Sequence, residues 1–232
     1  MATESATRRP SPERLPISTL SPPKREMLER AIKNIMSTDL CRETFAQVVD
    51  GLPLSHAAFE ARVFLCMYHP LLNDHKELCN GVVDETEKLC SEIDIASLLV
   101  SAQALHNFDS VPPCSSLFAA RFIEVVARAI HEVAVYLHKQ SPKRHKDDHL
   151  GKFRPPEDIA RFYPRTFPET LFCHYFYDHY TSYPNGVADC VGYWAEERIF
   201  GGVLVFDRRD PAKVEEASVS PVSDHPSTEP YR

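Results

Sequence analysis

At 232 residues, with 43% hydrophobic and 25% charged side chains, the chain is long enough for one domain with a substantial core. Its formal charge of −7 argues against a general nucleic-acid binder, which would carry a basic excess. Seven cysteines, an odd set without a CxxC pair, fit reduced thiols rather than a disulfide framework.

Residues 1–20 and 208–232 are rich in Pro, Ser, Thr, Glu and Arg and read as disordered tails, too poor in large apolar groups to offset the entropy of ordering. The first 14 residues lack an apolar leader, and no 18-residue uncharged apolar run follows, so neither secretion nor a membrane span is expected. The expected compartment is the cytoplasm, with Lys143-Arg144-His145-Lys146 allowing a nuclear alternative.

Between the tails, 21–207 is expected to be a single globular domain. Ser21 and Pro22 open a first helix in which Met27, Leu28, Ala31, Ile32, Ile35 and Met36 recur at helical spacing. A short second helix covers 42–49 and ends near Gly51-Leu52-Pro53. Ser55 caps a third, running to about Tyr68 before Pro70. Two more are expected over 84–91 and 93–105. Ser115 or Ser116 opens the strongest helix, about 116–138. Its polar residues Arg121, Glu124, Arg128 and Glu132 form one narrow stripe, the mark of a bundle's central helix. The stripe reads as a solvated or salt-bridged face.

Residues 141–156 form a basic connection, read as a plain solvated loop. Within it, Ser141-Pro142-Lys143-Arg144 has the form of a proline-directed phosphorylation site. From 153 to 206 the chain carries 14 of its 23 aromatic residues. A helix over 168–180 is expected, though a strand would also fit, followed by a turn at Tyr183-Pro184-Asn185-Gly186.

Residues 187–194 and 199–206 read as two strands around Ala195-Glu196-Glu197-Arg198. That hairpin would pair Trp194 with Ile199, Tyr193 with Phe200 and Gly192 with Gly201. Glycines inside a strand mark a bulge or the close approach of another group. The expected fold class is therefore α+β, predominantly α: a helical bundle around a central helix (about 116–138) with a C-terminal antiparallel hairpin (187–206).

Gly192-Tyr193-Trp194-Ala195-Glu196, then Arg198-Ile199-Phe200-Gly201-Gly202-Val203 and Phe206-Asp207-Arg208, resemble a recurring segment of uncharacterised proteins from filamentous ascomycete fungi. The resemblance covers about twenty residues, a tenth of the chain. It implies a fungal source and an accessory role beside a biosynthetic pathway, and it carries over no catalytic residue.

Candidate chemistry is sparse. There is no G-x-S-x-G, P-loop, G-x-G-x-x-G or H-E-x-x-H motif. On a helix, His174 and Asp178 would share a face as an acid–base pair or, with His179, as metal ligands; His106, Asp109 and Asp189 could join them. The preferred reading of these residues is polar punctuation of an aromatic helix, and no metal or other cofactor is expected. His69, Asp74 and His75 form a second cluster, read as loop. His131 and His138 share a face of the central helix as core or boundary histidines. Cys66, Cys79, Cys90 and Cys190 read as small buried hydrophobes. If the hairpin makes contacts, Gly192, Tyr193, Trp194, Phe200 and Gly201 are the candidates. The leading expectation is a non-catalytic module that binds another protein, and neither nucleic acid nor membrane. The alternative is a small accessory enzyme or ligand-binding protein with a pocket walled by His174 and Asp178.

Overall fold

The computed structural model describes residues 13–60, 69–154, 156–157, 170–174, 176–177 and 179–204. The second half of the expected third helix, Cys66, Asp178 and the C-terminal segment 205–232 fall outside them. Among the described residues there are eight α-helices and one two-stranded antiparallel sheet, a predominantly α architecture with a small β element. No helix among them is long and apolar enough to cross a membrane.

The chain enters through β1 (Arg14–Pro16) and a 3-10 turn (Ile17–Thr19), then α1 (Pro22–Met36), α2 (Asp39–Asp50), α3 (Ser55–Glu60) and α4 (Leu71–Asp74). There follow α5 (Val82–Ser91), a second 3-10 turn (Ile95–Ser97), β2 (Leu99–Ser101), α6 (Ala102–Ser110), α7 (Ser116–Gln140) and α8 (Val187–Phe200). Helix α7 is the centre of the molecule, with α1, α2, α5, α6, α8 and β2 packed against it. Its N-terminus is capped by Ser115 Oγ, which accepts from the Leu117 amide at 3.2 Å. Ile130, Val133, Ala134 and Leu137 are fully buried among Phe45, Val48, Leu105, Phe108 and Trp194. The polar stripe is ion-paired: Glu124 sits between Arg121 (3.0 Å) and Arg128 (3.2 Å), and Glu132 pairs with Arg14.

Four expectations are corrected. Residues 13–20 belong to the fold rather than to a tail. Leu15 pairs with Val100 across the sheet, and Ile17 is fully buried. The helix expected over 93–105 is broken, because Asp94 accepts from the Ala96 amide and ends in a 3-10 turn. The chain then extends as β2 so that Val100 is buried while Leu99 faces out, the alternation of a half-buried strand.

The largest correction concerns 187–206. No hairpin forms; Val187–Phe200 is one helix, so the register of Trp194 with Ile199 and Gly192 with Gly201 does not exist. Ala195-Glu196-Glu197-Arg198, taken as a turn, consists of strong helix formers. A run apolar on all sides is as much a buried helix as a strand. Gly201 at φ +77° is the left-handed residue that stops α8, not half of a cross-strand pair.

The helix expected over 168–180 is also absent from 170–174. There Thr170 Oγ1 accepts from the Phe172 amide and His174 Nδ1 from the Phe176 amide, so side chains satisfy amides that a helix would have turned inward. Phe172 is pinned edge-on to Trp194 at 4.7 Å.

Candidate metal centre

Asp50 ends α2, where Thr38 caps the other end of the helix through the Cys41 amide. His75 closes α4, Cys79 precedes α5, and His145 lies in the connection after α7. The four side chains bring one donor atom each to within 4.8 Å of all the others. Asp50, His75 and His145 are buried and Cys79 is half-buried. The connection expected to be a solvated loop therefore carries a buried donor, and Leu150 from it joins Leu52, Ala58, Leu71 and Leu171 in a satellite apolar cluster.

The orientation of each ring is set from outside. His75 Nδ1 lies 3.0 Å from the Pro53 carbonyl oxygen, which can only accept, so Nδ1 carries a hydrogen and Nε2 is the nitrogen that faces the cluster. His145 Nδ1 lies 2.6 Å from Asp148 Oδ2, with the same consequence. Asp148 is in turn held by the Gly151 amide at 2.9 Å. Such a carboxylate or carbonyl behind a histidine is the usual support of a metal-bound imidazole. Gly151 is required by close approach, since a Cβ there would stand 1.9 Å from the His145 carbonyl oxygen.

Inside the cluster, His75 Nε2 is 3.1 Å from Asp50 Oδ2, which also accepts from the Cys79 amide at 3.2 Å. His145 Nε2 is 3.6 Å from Cys79 Sγ and 3.6 Å from Asp50 Oδ1. Asp50 Oδ1 is buried with no hydrogen-bond partner. The nitrogen–oxygen gap of 3.6 Å is too long for a hydrogen bond. It matches the roughly 3.3–3.8 Å separation of donors around a tetrahedral zinc with bonds of about 2.0–2.3 Å. Burial alone would raise the Asp50 carboxyl. The imidazoles of His145 and His75 and the Cys79 amide outweigh it and hold the group well below the usual carboxylate range. Asp50 beside it, against the effect of burial and with help from Asp148, pushes His145 up. Burial and the Asp50 charge push the Cys79 thiol up to about 11. A carboxylate, two imidazoles and a thiol facing one point are complementary to a divalent cation, which would neutralise Asp50 and ionise Cys79.

A second buried polar group joins α7 to α8. His131 Nδ1 is 2.8 Å from Glu196 Oε1 and its Nε2 is 3.1 Å from Asp189 Oδ1. Burial would strip the ring of its proton, but the two carboxylates overturn that and raise its pKa to about 9. Asp189 also accepts from the Asn185 side chain (2.9 Å) and backbone (2.8 Å). Gly192 lies under the ring, where a Cβ would meet three imidazole atoms at 2.5–2.6 Å. Gly192 is thus approached by the His131 side chain across a helix–helix contact, not by a neighbour across a hairpin.

The other candidate residues are dispersed. His174 accepts from the Phe176 amide and stands 3.8 Å from Glu197. The helical register that would pair it with Asp178 is missing, and His179 is exposed. His106 is exposed too, and Asp109 accepts from Ser21 Oγ at 2.7 Å. Trp194 is a core residue, Phe200 packs against the core, and Tyr193 stacks on Tyr177 at 4.3 Å. Of the trio His69, Asp74 and His75, only His75 faces the cluster. His69 accepts from the Leu71 amide and Asp74 pairs with His149 at the surface. Asp50 and His145 carried no signal that sequence reasoning used. The spacing His75-x-x-x-Cys79 was the available one, being within the range of zinc-ligand pairs.

Fold and site together define a helical protein with a buried Asp-His-Cys-His donor cluster. The chain matches no protein-family model, and no curated protein or solved structure matches it significantly.

Proposed function

We propose that this chain is a non-catalytic, zinc-stapled helical module that serves through a protein partner. The observation that carries the metal reading is the convergence of four buried or half-buried donors, with both histidines tied at Nδ1 so that Nε2 points inward. One thiolate, two imidazoles and one carboxylate suit zinc rather than magnesium or calcium. Four protein donors also leave no open position for water, as in structural rather than catalytic zinc sites. The metal would fasten the connection after α7 to the end of α2 and the segment before α5. Its need for a reduced Cys79 agrees with a cytoplasmic or nuclear location.

The test is elemental analysis of the full chain purified without a metal-affinity tag. One zinc per chain is expected, with loss on His75→Ala or Cys79→Ser and a cobalt derivative showing thiolate-to-metal charge transfer. Less than about a tenth of an equivalent after zinc supplementation, with chelator leaving the thermal midpoint unchanged, would sink the reading.

One observation favours a second reading, a thiol-dependent accessory enzyme. Cys79 Sγ, His145 Nε2 and Asp148 Oδ2 are aligned as nucleophile, base and orienting carboxylate. The Asp50 charge beside the thiol opposes it, since it disfavours the thiolate that such an enzyme needs. Rapid alkylation of Cys79 at neutral pH in protein that binds no zinc would favour the enzyme.

A further inference from the structure

The pattern Ser141-Pro142-Lys143-Arg144, a serine followed by proline and by a basic residue at the third position, suits a proline-directed kinase. In the fold Ser141 is the C-cap of α7, its amide bonded to the Leu137 carbonyl at 2.9 Å. It is only 8% exposed, so the folded connection hides it. Four residues later comes His145. A span of four residues reaches at most about 14 Å, so the position of Ser141 is governed by two fixed points, the end of α7 and the donor cluster. The link between them is strained: Lys143 holds φ +50°, the one left-handed non-glycine among the described residues. For such a residue that conformation is disfavoured, because its Cβ crowds the following carbonyl oxygen. The fastening of His145 and the Arg144–Glu85 ion pair oppose this strain.

Resting on the zinc reading above, we infer that Ser141 is a phosphorylation site gated by zinc at Asp50, His75, Cys79 and His145. With the metal in place the connection stays closed and the hydroxyl is withheld. Without it His145 is released, the strain at Lys143 relaxes, and Ser141-Pro142 can enter a kinase in the extended form that proline already imposes on Ser141 (φ −64°, ψ 142°). The Ser141 hydroxyl oxygen then attacks the γ-phosphorus of ATP. The bond to ADP breaks and the hydroxyl proton passes to the kinase's base. The product resists closure, because a phosphate dianion at the carboxyl end of α7 meets the negative end of the helix dipole in a place without room for its hydration. Coupling between two sites is reciprocal in its equilibrium free energy: a metal that favours the closed connection is itself held more weakly once the phosphate opposes closure.

The experiment treats the full chain with a proline-directed serine/threonine kinase and ATP, zinc-loaded or chelator-stripped, and maps phosphate site by site. Ser11, Ser21 and Ser220, the other serines followed by proline, serve as references. Ser141 should be modified at least tenfold faster in stripped protein and in His145→Ala, with the reference sites unchanged. Ser141→Glu should bind zinc at least tenfold more weakly than Ser141→Ala. Equal Ser141 rates in the two states, or no phosphate at Ser141 in either, would overturn the inference and leave the zinc reading standing if one zinc per chain is measured. Absence of zinc binding overturns both.

Discussion

His131 makes the stability of the protein depend on pH in a definite direction. The ring is enclosed by Asp189 and Glu196 from α8, with Glu132 on its own helix and the Tyr193 ring edge-on at 4.7 Å. An ordinary histidine titrates at 6.5 and this one at about 9 in the folded protein. A group whose pKa is raised by folding contributes fully below its unfolded value and loses that contribution as pH rises through its folded value. The window is therefore 6.5 to 9. At about 1.36 kcal/mol for each pH unit the contribution is on the order of 3 kcal/mol. Burial pushes Tyr193, the nearest other group, above its ordinary value, so its hydroxyl stays neutral throughout the window. Asp189 is held below the carboxylate range by His131 and Asn185 in spite of its burial and stays charged. The assay is urea unfolding of the wild type and of His131→Gln from about pH 6 to pH 10. The stability difference should be largest at the acid end and shrink by roughly 3 kcal/mol toward the alkaline end. Titrations elsewhere in the chain cancel in that difference. A difference constant across the range would refute the charged clamp and leave His131 a neutral packing residue.

Three further outcomes follow from contacts already described. Gly192→Ala drives a Cβ to within 2.6 Å of a ring held at both nitrogens, so a loss of about 1–3 kcal/mol is expected in chemical denaturation; a neutral result would mean that α8 shifts freely on α7. Gly151→Ala, whose Cβ would strike the His145 carbonyl at 1.9 Å, should lower zinc affinity at least tenfold in a competition titration while the helical circular dichroism is retained; unchanged affinity would show that His145 is not a ligand. Trp194→Ala empties the largest fully buried side chain of the core, beside Phe172, and should cost about 3–5 kcal/mol. A loss under about 1 kcal/mol would contradict the placement of α8 in the core.

What the sequence made legible was periodicity. Helix α1 follows from apolar spacing and its opening prolines, although Ser21 gives its hydroxyl to Asp109 and makes no side-chain cap; helix α7 follows from apolar spacing and its Ser115 cap, and its thin polar stripe correctly marked the central element. The failures share a cause: tertiary contacts decided between local states that the residues alone left nearly balanced. In α8 an apolar run fits a buried helix as well as a buried strand, and its glycines misled because the group approaching Gly192 is His131, 61 positions earlier. β2 exists because a partner strand 85 residues away, Arg14–Pro16, supplies its hydrogen bonds. The donor cluster was illegible for the same reason, being assembled from the end of α2, the connection between α4 and α5, and a loop whose lysines and arginines advertised solvent.

The two buried histidine clusters differ in a way that bears on the proposed metal. At His131 a single protonated ring reaches two carboxylates at 2.8 and 3.1 Å. Both nitrogens donate, both acids accept, and the arrangement is complete with protein atoms alone. At Asp50 two rings have already spent their Nδ1 hydrogens outward, on Pro53 and Asp148. Protons on both Nε2 atoms would place two buried positive charges around a carboxylate that reaches only one of them within hydrogen-bonding distance. Asp50 Oδ1 would still be without a partner, and its 3.6 Å gap to His145 Nε2 would remain. A single divalent cation at the centre satisfies all four donors at once, including the oxygen that no proton reaches. Proton and metal differ here in reach: a proton joins two atoms, whereas the proposed metal would join all four donors, which lie within 4.8 Å of one another.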